Sequence, residues 1–294
     1  MSKAFLLGVG CQKGGTTWIY EYLSGHPQAD PGPKKGHHIF DALFIPDMQA
    51  AYQRRIAKLL AFLAGQGPPP DAATLRSAAY LFDVQSYFDH FHYRLLRDAG
   101  IRLTADITPD YAGLPTEALA MIRDGFRSRG VPIKVLFVLR DPVERCWSHV
   151  RMLRRQAVEA GESLVHPSAE AQLIEQHATE LVELRTRYDL TLERLAAVFP
   201  HEDVHVVLYE ELFTEASMQA LCAFLGIDWL STDLSRRVFA SPDQAPDLSA
   251  DTIRRVALHY APVYEAAAKQ FGPERVARCW ASWASFRPGV ATAG

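Results

Sequence analysis

The chain of 294 residues, 48% hydrophobic and 22% charged, has the length of one large α/β domain or two small ones and enough apolar side chains for a substantial core. Its formal net charge of −3, with only short basic clusters such as Lys34-Lys35 and Arg151 to Arg155, excludes a nucleic-acid-coating surface. Cys11, Cys146, Cys222 and Cys279 show no C-x-x-C pairing and no apolar run approaches the ~18 residues of a membrane span, so the expectation is a soluble, cytoplasmic protein with reduced thiols, without a zinc site, a disulfide framework or membrane insertion.

The first predicted elements carry the chemistry. Residues 5–9 read as a buried parallel strand that breaks into Gly10-Cys11-Gln12-Lys13-Gly14-Gly15-Thr16-Thr17-Trp18 and continues with apolar residues at helical spacing. The glycines let the backbone turn its N–H groups inward, the helix start adds free N–H groups and the positive end of its dipole, and Lys13 adds a point charge beside the hydroxyls of Thr16 and Thr17. Such a loop holds a phosphate. In the nucleoside-triphosphate loop G-x-x-x-x-G-K-[ST] the lysine follows the second glycine; here Gly10 and Gly15 hold the glycine positions, Thr16 stands in the lysine position, and the lysine lies inside the loop. The register favours a different donor.

Gln12 to Trp18 resembles the phosphosulfate loop of the sulfotransferases, which bind 3′-phosphoadenosine 5′-phosphosulfate (PAPS) and pass its sulfuryl group to an acceptor, and Tyr22-Leu23-Ser24-Gly25-His26-Pro27 is similar to that family's helix ending. The resemblance implies that Gln12, Lys13, Gly14, Gly15, Thr16, Thr17 and Trp18 bind the cofactor, with Lys13 also catalytic.

Residues 28–35, rich in Pro and Gly, form a loop into Lys35-Gly36-His37-His38-Ile39-Phe40-Asp41. This stretch resembles the K-E-x-H-F-F-D motif of the sulfotransferases related to those acting on heparan sulfate, in which the glutamate is the proposed base; Gly36 takes its place. His38 sits on the family's histidine and His37 lies next to it. With an ordinary pKa of about 6.5, either takes a proton at neutral pH without special tuning, although a solvent-facing or fold-stabilising pair is the plainer reading. Adjacent residues point apart and no ligand cluster accompanies them, so no metal is expected.

Apolar spacing predicts a helix over 48–64, stopped by Gly65-Gln66-Gly67-Pro68-Pro69-Pro70, and another over 86–98. The latter's aromatic stripe, including Tyr87, Phe88, Phe91 and Tyr93, suits a core; the alternative is an acceptor-pocket wall. A strand over 102–106 runs into Thr108-Pro109-Asp110-Tyr111, resembling the family's E-x-T-P-x-Y motif with Asp106 in place of the glutamate. A carboxylate at a strand's end orients an acceptor, holds Lys13 or serves as the base that Gly36 cannot be; a simple strand-ending turn is the competing reading.

After a helix over 115–127 comes the strongest strand, 133–139, ending in Arg140-Asp141-Pro142-Val143-Glu144-Arg145-Cys146-Trp147-Ser148-His149. This block is closely similar to the sulfotransferase element that binds the cofactor's 3′-phosphate, which implies that role for Arg140 and Ser148. Asp141 alternatively reads as the metal-holding aspartate of an ATP-dependent kinase. Residues 151–199 are helical in pattern with a break at Gly161 and His166-Pro167, a solvated face compatible with a dimer contact or a lid. A strand over 204–208 and Tyr209-Glu210-Glu211-Leu212 resemble the family's late strand and Y-E-D-L signature, and a last helix over 250–271 resembles its C-terminal helix. Beyond it, Trp280, Trp283, Phe286 and Arg287 either close over the ligand or, more plainly, pack a surface tail.

The expectation is therefore one α/β domain over 1–294, three-layered and P-loop-like, with a mostly parallel central sheet flanked by helices and ligands at the strands' carboxyl ends. The resemblance implies PAPS as donor and a small-molecule or carbohydrate acceptor; a sulfuryl group carries less charge than a phosphoryl group, so no obligatory metal is expected, and the face over 151–199 is compatible with a homodimer. His38, His37 and Asp106 all stand as candidate proton acceptors. A P-loop kinase using ATP and a catalytically silent nucleotide-binding protein are the alternatives, the second motivated by Gly36.

Overall fold

The computed structural model describes residues 3–234 and 248–286; Arg287 lies outside them. Its sheet comprises β1 (Ala4–Gly10), β2 (Ala29–Asp30), β3 (Leu103–Ile107), β4 (Ile133–Leu139) and β5 (Val204–Leu208). The five strands are ordered β2-β3-β1-β4-β5, and each pairing is parallel.

The sheet is covered on both faces, which is why β1 and, beyond Lys134, β4 read as apolar runs. Phe5, Leu7 and Val9 share one core cluster with Val135, Phe137 and Leu139. Leu6, Leu136 and Val138 share the other with Leu103, Ala105 and Ile107. Three layers follow from this alternation.

Before β4 the chain forms α1 (Thr16–Ser24), α2 (Phe40–Phe44), α3 (Pro46–Leu63), α4 (Ala72–Phe82), α5 (Val84–Leu96) and α6 (Thr116–Arg127). Between β4 and β5 lie α7 (Pro142–Glu159), α8 (Ala169–Gln176), α9 (Glu180–Leu184) and α10 (Tyr188–Val198). After β5 come α11 (Tyr209–Leu212), α12 (Glu215–Leu225), α13 (Ala250–His259), α14 (Ala261–Phe271), α15 (Pro273–Cys279) and α16 (Trp283–Phe286). Helices α1 and α12 cover one face of the sheet, whereas α5, α6, α7, α10, α13 and α14 build the core on the other.

Several expectations change in detail. The helix expected over 250–271 is two helices, because Pro262 has no N–H to continue the ladder and occupies the first turn of α14. Helix α4 was unforeseen; it follows the proline run and is capped by Asp71, which accepts a hydrogen bond from Thr74 N at 2.6 Å. The aromatic stripe is core: Tyr87, Phe88 and Phe91 are buried around the Phe5–Phe126 stack, whose ring centroids are 3.9 Å apart. Trp280 is no surface tail either, being fully buried edge-on to Tyr264 at 5.4 Å. Among the described residues the four cysteines are unpaired and three are buried. No described helix is long and apolar enough to cross a membrane.

Candidate active site

Strand β1 lies between β3 and β4, and the chain leaves the carboxyl ends of β1 and β4 into helices on opposite faces of the sheet, α1 and α7. A crevice at such a switch point is where doubly wound sheets hold ligands. Residues 11–15 sit there, flanked by the turn after β3 and by Arg140 after β4. Gly15 adopts φ 75, and a Cβ on it would come within 2.9 Å of the Phe213 ring. At Gly14 a Cβ would meet Cys11 Sγ at 2.8 Å. The loop is thus closed to side chains at both glycines, and α1 begins at Thr16 without a side-chain cap, leaving its first-turn N–H groups directed outward for an anion.

Positive charge converges on this loop. Lys13 is pushed down to about 8 by burial and then by repulsion from Arg155, Arg140, Arg151 and Arg145. Lys35 is likewise pushed down to about 8 by burial and by Lys13, against an opposing pull from Asp110, and its Nζ donates to Thr17 Oγ1 at 2.8 Å. Arg140 donates from Nη1 to the Lys13 carbonyl at 2.9 Å while its guanidinium lies 4.6 Å from the centre of the Tyr209 ring. Arg145 is fully buried. It bonds the neutral oxygens Gln12 Oε1 at 2.8 Å and Thr186 Oγ1 at 3.0 Å, and its Nε has no partner. His149, buried behind this set, is pushed down to about 3 by burial, then by Arg145, Arg185 and Lys13. Glu144 and Glu159 reach Arg140 and Arg155 only at 3.5 and 3.7 Å, and Arg145 bonds only neutral oxygens; cations held this close together suit a polyanionic ligand.

The turn at 35–41 forms the other wall. Asp106 is buried and anchors it: Oδ1 accepts from Thr108 Oγ1 at 2.6 Å and His37 N at 3.4 Å, while Oδ2 accepts from Tyr87 OH at 2.8 Å and Tyr111 OH at 3.0 Å. The His37 ring points inward, 5.2 Å from Phe91 and 5.9 Å from Tyr80. His38, next in sequence, turns the other way. Its side chain is 36% exposed, with Nδ1 2.6 Å from Asp41 Oδ2 and 3.5 Å from Asp110 Oδ2. Asp110 is held in turn by Arg185 at 2.5 Å.

The sequence-predicted residues therefore separate. Gln12, Lys13, Gly14, Gly15, Thr16 and Thr17 form the loop and the helix start, and Arg140 reaches it. Ser148 lies within α7, buried on the same helix as Arg145. Trp18 contributes only backbone to the first turn of α1, since its ring is core, edge-on to Phe213 at 5.4 Å. His37 and Asp106 are enclosed, and their hydrogen bonds hold the turn. Lys35, Arg145, Arg151 and Arg155 were not anticipated; with Ser148, the last two recur at i+3 and i+7, a helical face legible in principle. Asp141, on which a kinase reading rests, caps α7 by accepting from Val143 N at 3.0 Å and ties down the C-terminal segment through Ser282 N at 2.9 Å and Ser282 Oγ at 2.6 Å. Its oxygens are spent.

A parallel α/β sheet with a glycine loop at its switch point and a basic wall beside it forms a candidate anion-binding site. The sulfotransferase family model matches residues 6–231, and the chain belongs to that family. No match is found among curated proteins. Among solved structures, a sulfotransferase from Alicyclobacillus acidocaldarius is similar with 23% identity over 96% of this chain and 99% of that one, at a TM-score of 0.56. The sulfotransferase domain of the Synechococcus PCC 7002 olefin synthase is similar with 18% identity over 88% of this chain and 94% of that one, at 0.45. Sulfotransferase STF9 from Mycobacterium avium matches with 14% identity over 92% and 77%, at 0.46.

Proposed function

We propose that the protein transfers the sulfuryl group of PAPS to a hydroxyl, or by extension an amine, of a carbohydrate or small-molecule acceptor, in a reducing, cytoplasmic setting. The observation that carries this reading is the Arg140–Lys13 hydrogen bond, which joins the two motif blocks, far apart in sequence, into one cationic site. PAPS supplies an activated sulfur whose bond to the 5′-phosphate oxygen is the one to be broken.

Lys13, Lys35, the hydroxyls of Thr16 and Thr17 and the N–H groups of α1 stabilise the charge that grows on the departing 5′-phosphate oxygen. Arg140 and Ser148 hold the 3′-phosphate, for which the planar guanidinium fork is suited. Arg145, through Gln12, keeps the loop's side chains in place from below. Such positioning and charge stabilisation is what in-line transfer of a sulfuryl or phosphoryl group requires of a protein, and the cation set leaves no role that needs a metal.

Calorimetric titration and thermal melting with adenosine 3′,5′-bisphosphate, beside ATP with magnesium, test the reading. Wild type should bind and be stabilised selectively by the bisphosphate, and Arg140→Ala should lose that response. A response to magnesium-ATP alone would reject it.

A further inference from the structure

A hydroxyl that attacks sulfur must give up its proton, and two of the three groups offered for it are walled in. The His37 ring sits among Tyr80, Tyr87 and Phe91, and both oxygens of Asp106 are engaged. His38 is left. Its Nδ1 is taken by Asp41, so its only free ring nitrogen is Nε2, which lies 3.2 Å from where a Cβ on residue 36 would be. Residue 36 is glycine with φ 73, and the ring of His38, itself at φ 53, folds back over it. A side chain at 36 would be strained and would displace the ring. Asp41 is fixed as well: it is buried, and its Oδ1 accepts from Ala42 N at 3.0 Å.

Resting on the sulfuryl-transfer reading, we propose that Asp41, seconded by Asp110, is a positioning residue that holds His38 with its Nδ1–H bound and Nε2 presented to the acceptor hydroxyl, and that Gly36 makes the room for this ring. Nε2 takes the O–H proton as the acceptor oxygen bonds to sulfur. The bond from sulfur to the 5′-phosphate oxygen breaks, its electron pair stays on that oxygen, and Asp41 faces the new imidazolium. The charges around the ring suit this exchange. Burial disfavours the imidazolium, but the Asp41 hydrogen bond and the carboxylates of Asp41, Asp110 and Asp106 outweigh it and raise His38 above its ordinary value. Lys35 and Arg185 bound the cluster on the side of Asp110. Ligand atoms of His38, Asp41 and Asp110 lie within 4.8 Å of one another, yet His38 Nδ1 is bound to Asp41 and Asp110 to Arg185, an internally paired set.

Nitrogen NMR of histidine-labelled protein bound to adenosine 3′,5′-bisphosphate, with sulfate release from PAPS into water as a second readout, tests this in wild type, Asp41→Asn and His38→Ala. The expected neutral ring carries its proton on Nδ1 and titrates above 6.5. Asp41→Asn should lower that titration to the ordinary imidazole value or below, shift the acid limb of sulfate release by the same amount, and leave bisphosphate affinity unchanged. A neutral ring protonated on Nε2, a titration indifferent to Asp41→Asn, or wild-type sulfate release by His38→Ala overturns the proposal. Failure of the wild type to bind the bisphosphate would overturn the donor reading instead.

Discussion

Lys13 and His38 are the non-glycine residues with left-handed φ among those described, at 69 and 53. Each such residue costs of the order of 1–3 kcal/mol, strain that proteins concentrate where a side chain must be aimed. Lys13→Ala should lower the transfer rate by ~10²–10³ while the fold persists, as kinetics and circular dichroism on one preparation would establish. The depressed lysines give a second prediction with opposed signs. Charge on Lys13 and Lys35 is lost as pH rises through about 8, so bisphosphate affinity should fall by roughly tenfold or more between about pH 7 and 9 in calorimetry. Stability of the ligand-free protein should move the other way, because between about 8 and the ordinary 10.5 the unfolded lysines hold protons that the folded ones have released. Melting curves of wild type against Lys13→Gln isolate this slope, which the variant should flatten. At this scale the sequence separates lysine from loop but not His37 from His38. Neighbouring side chains point opposite ways, and only the anchoring of His37 N on Asp106 and Thr108 decides which ring is enclosed.

Among elements, β1 and β4 were legible because strands covered on both faces carry apolar residues nearly throughout, and β5 because its valines suit a strand. The two helices at 250–271 were not, since apolar periodicity runs on through Tyr260 and only Pro262 marks the joint. Gly125 shows how packing overrides propensity. Within α6 a glycine-to-alanine change would by helix preference stabilise by about 1 kcal/mol, but a Cβ there would lie 2.3 Å from the buried Phe88 ring. Gly125→Ala should therefore destabilise by about 1–3 kcal/mol in denaturant unfolding; stabilisation would contradict the α5–α6 contact. Asp141 makes a parallel case. Losing the α7 cap together with the bonds to Ser282 should cost Asp141→Ala about 2–4 kcal/mol, and an unchanged melting temperature with loss of a magnesium-dependent activity would favour the metal-holding role.

For the whole molecule, a chain with a net charge of −3 places Lys13, Lys35, Arg140, Arg145, Arg151 and Arg155 around one crevice. Such local focusing of cations attracts a polyanion despite the overall sign. The fold class was legible, and the two motif blocks could be placed at strand ends, because each block is a local strand-to-helix junction. Lys35, Arg145 and the His38–Asp41–Asp110 cluster were not, because parallel pairing of β1 with both β3 and β4 is what brings them to the same end of the sheet. The central claim is that one site grips two phosphates of the same nucleotide. Calorimetry of adenosine 3′,5′-bisphosphate against adenosine 5′-monophosphate tests it most directly: the account predicts that wild type prefers the bisphosphate strongly and that Ser148→Ala and Arg140→Lys both narrow the preference, whereas equal affinity of wild type for the two ligands would contradict it.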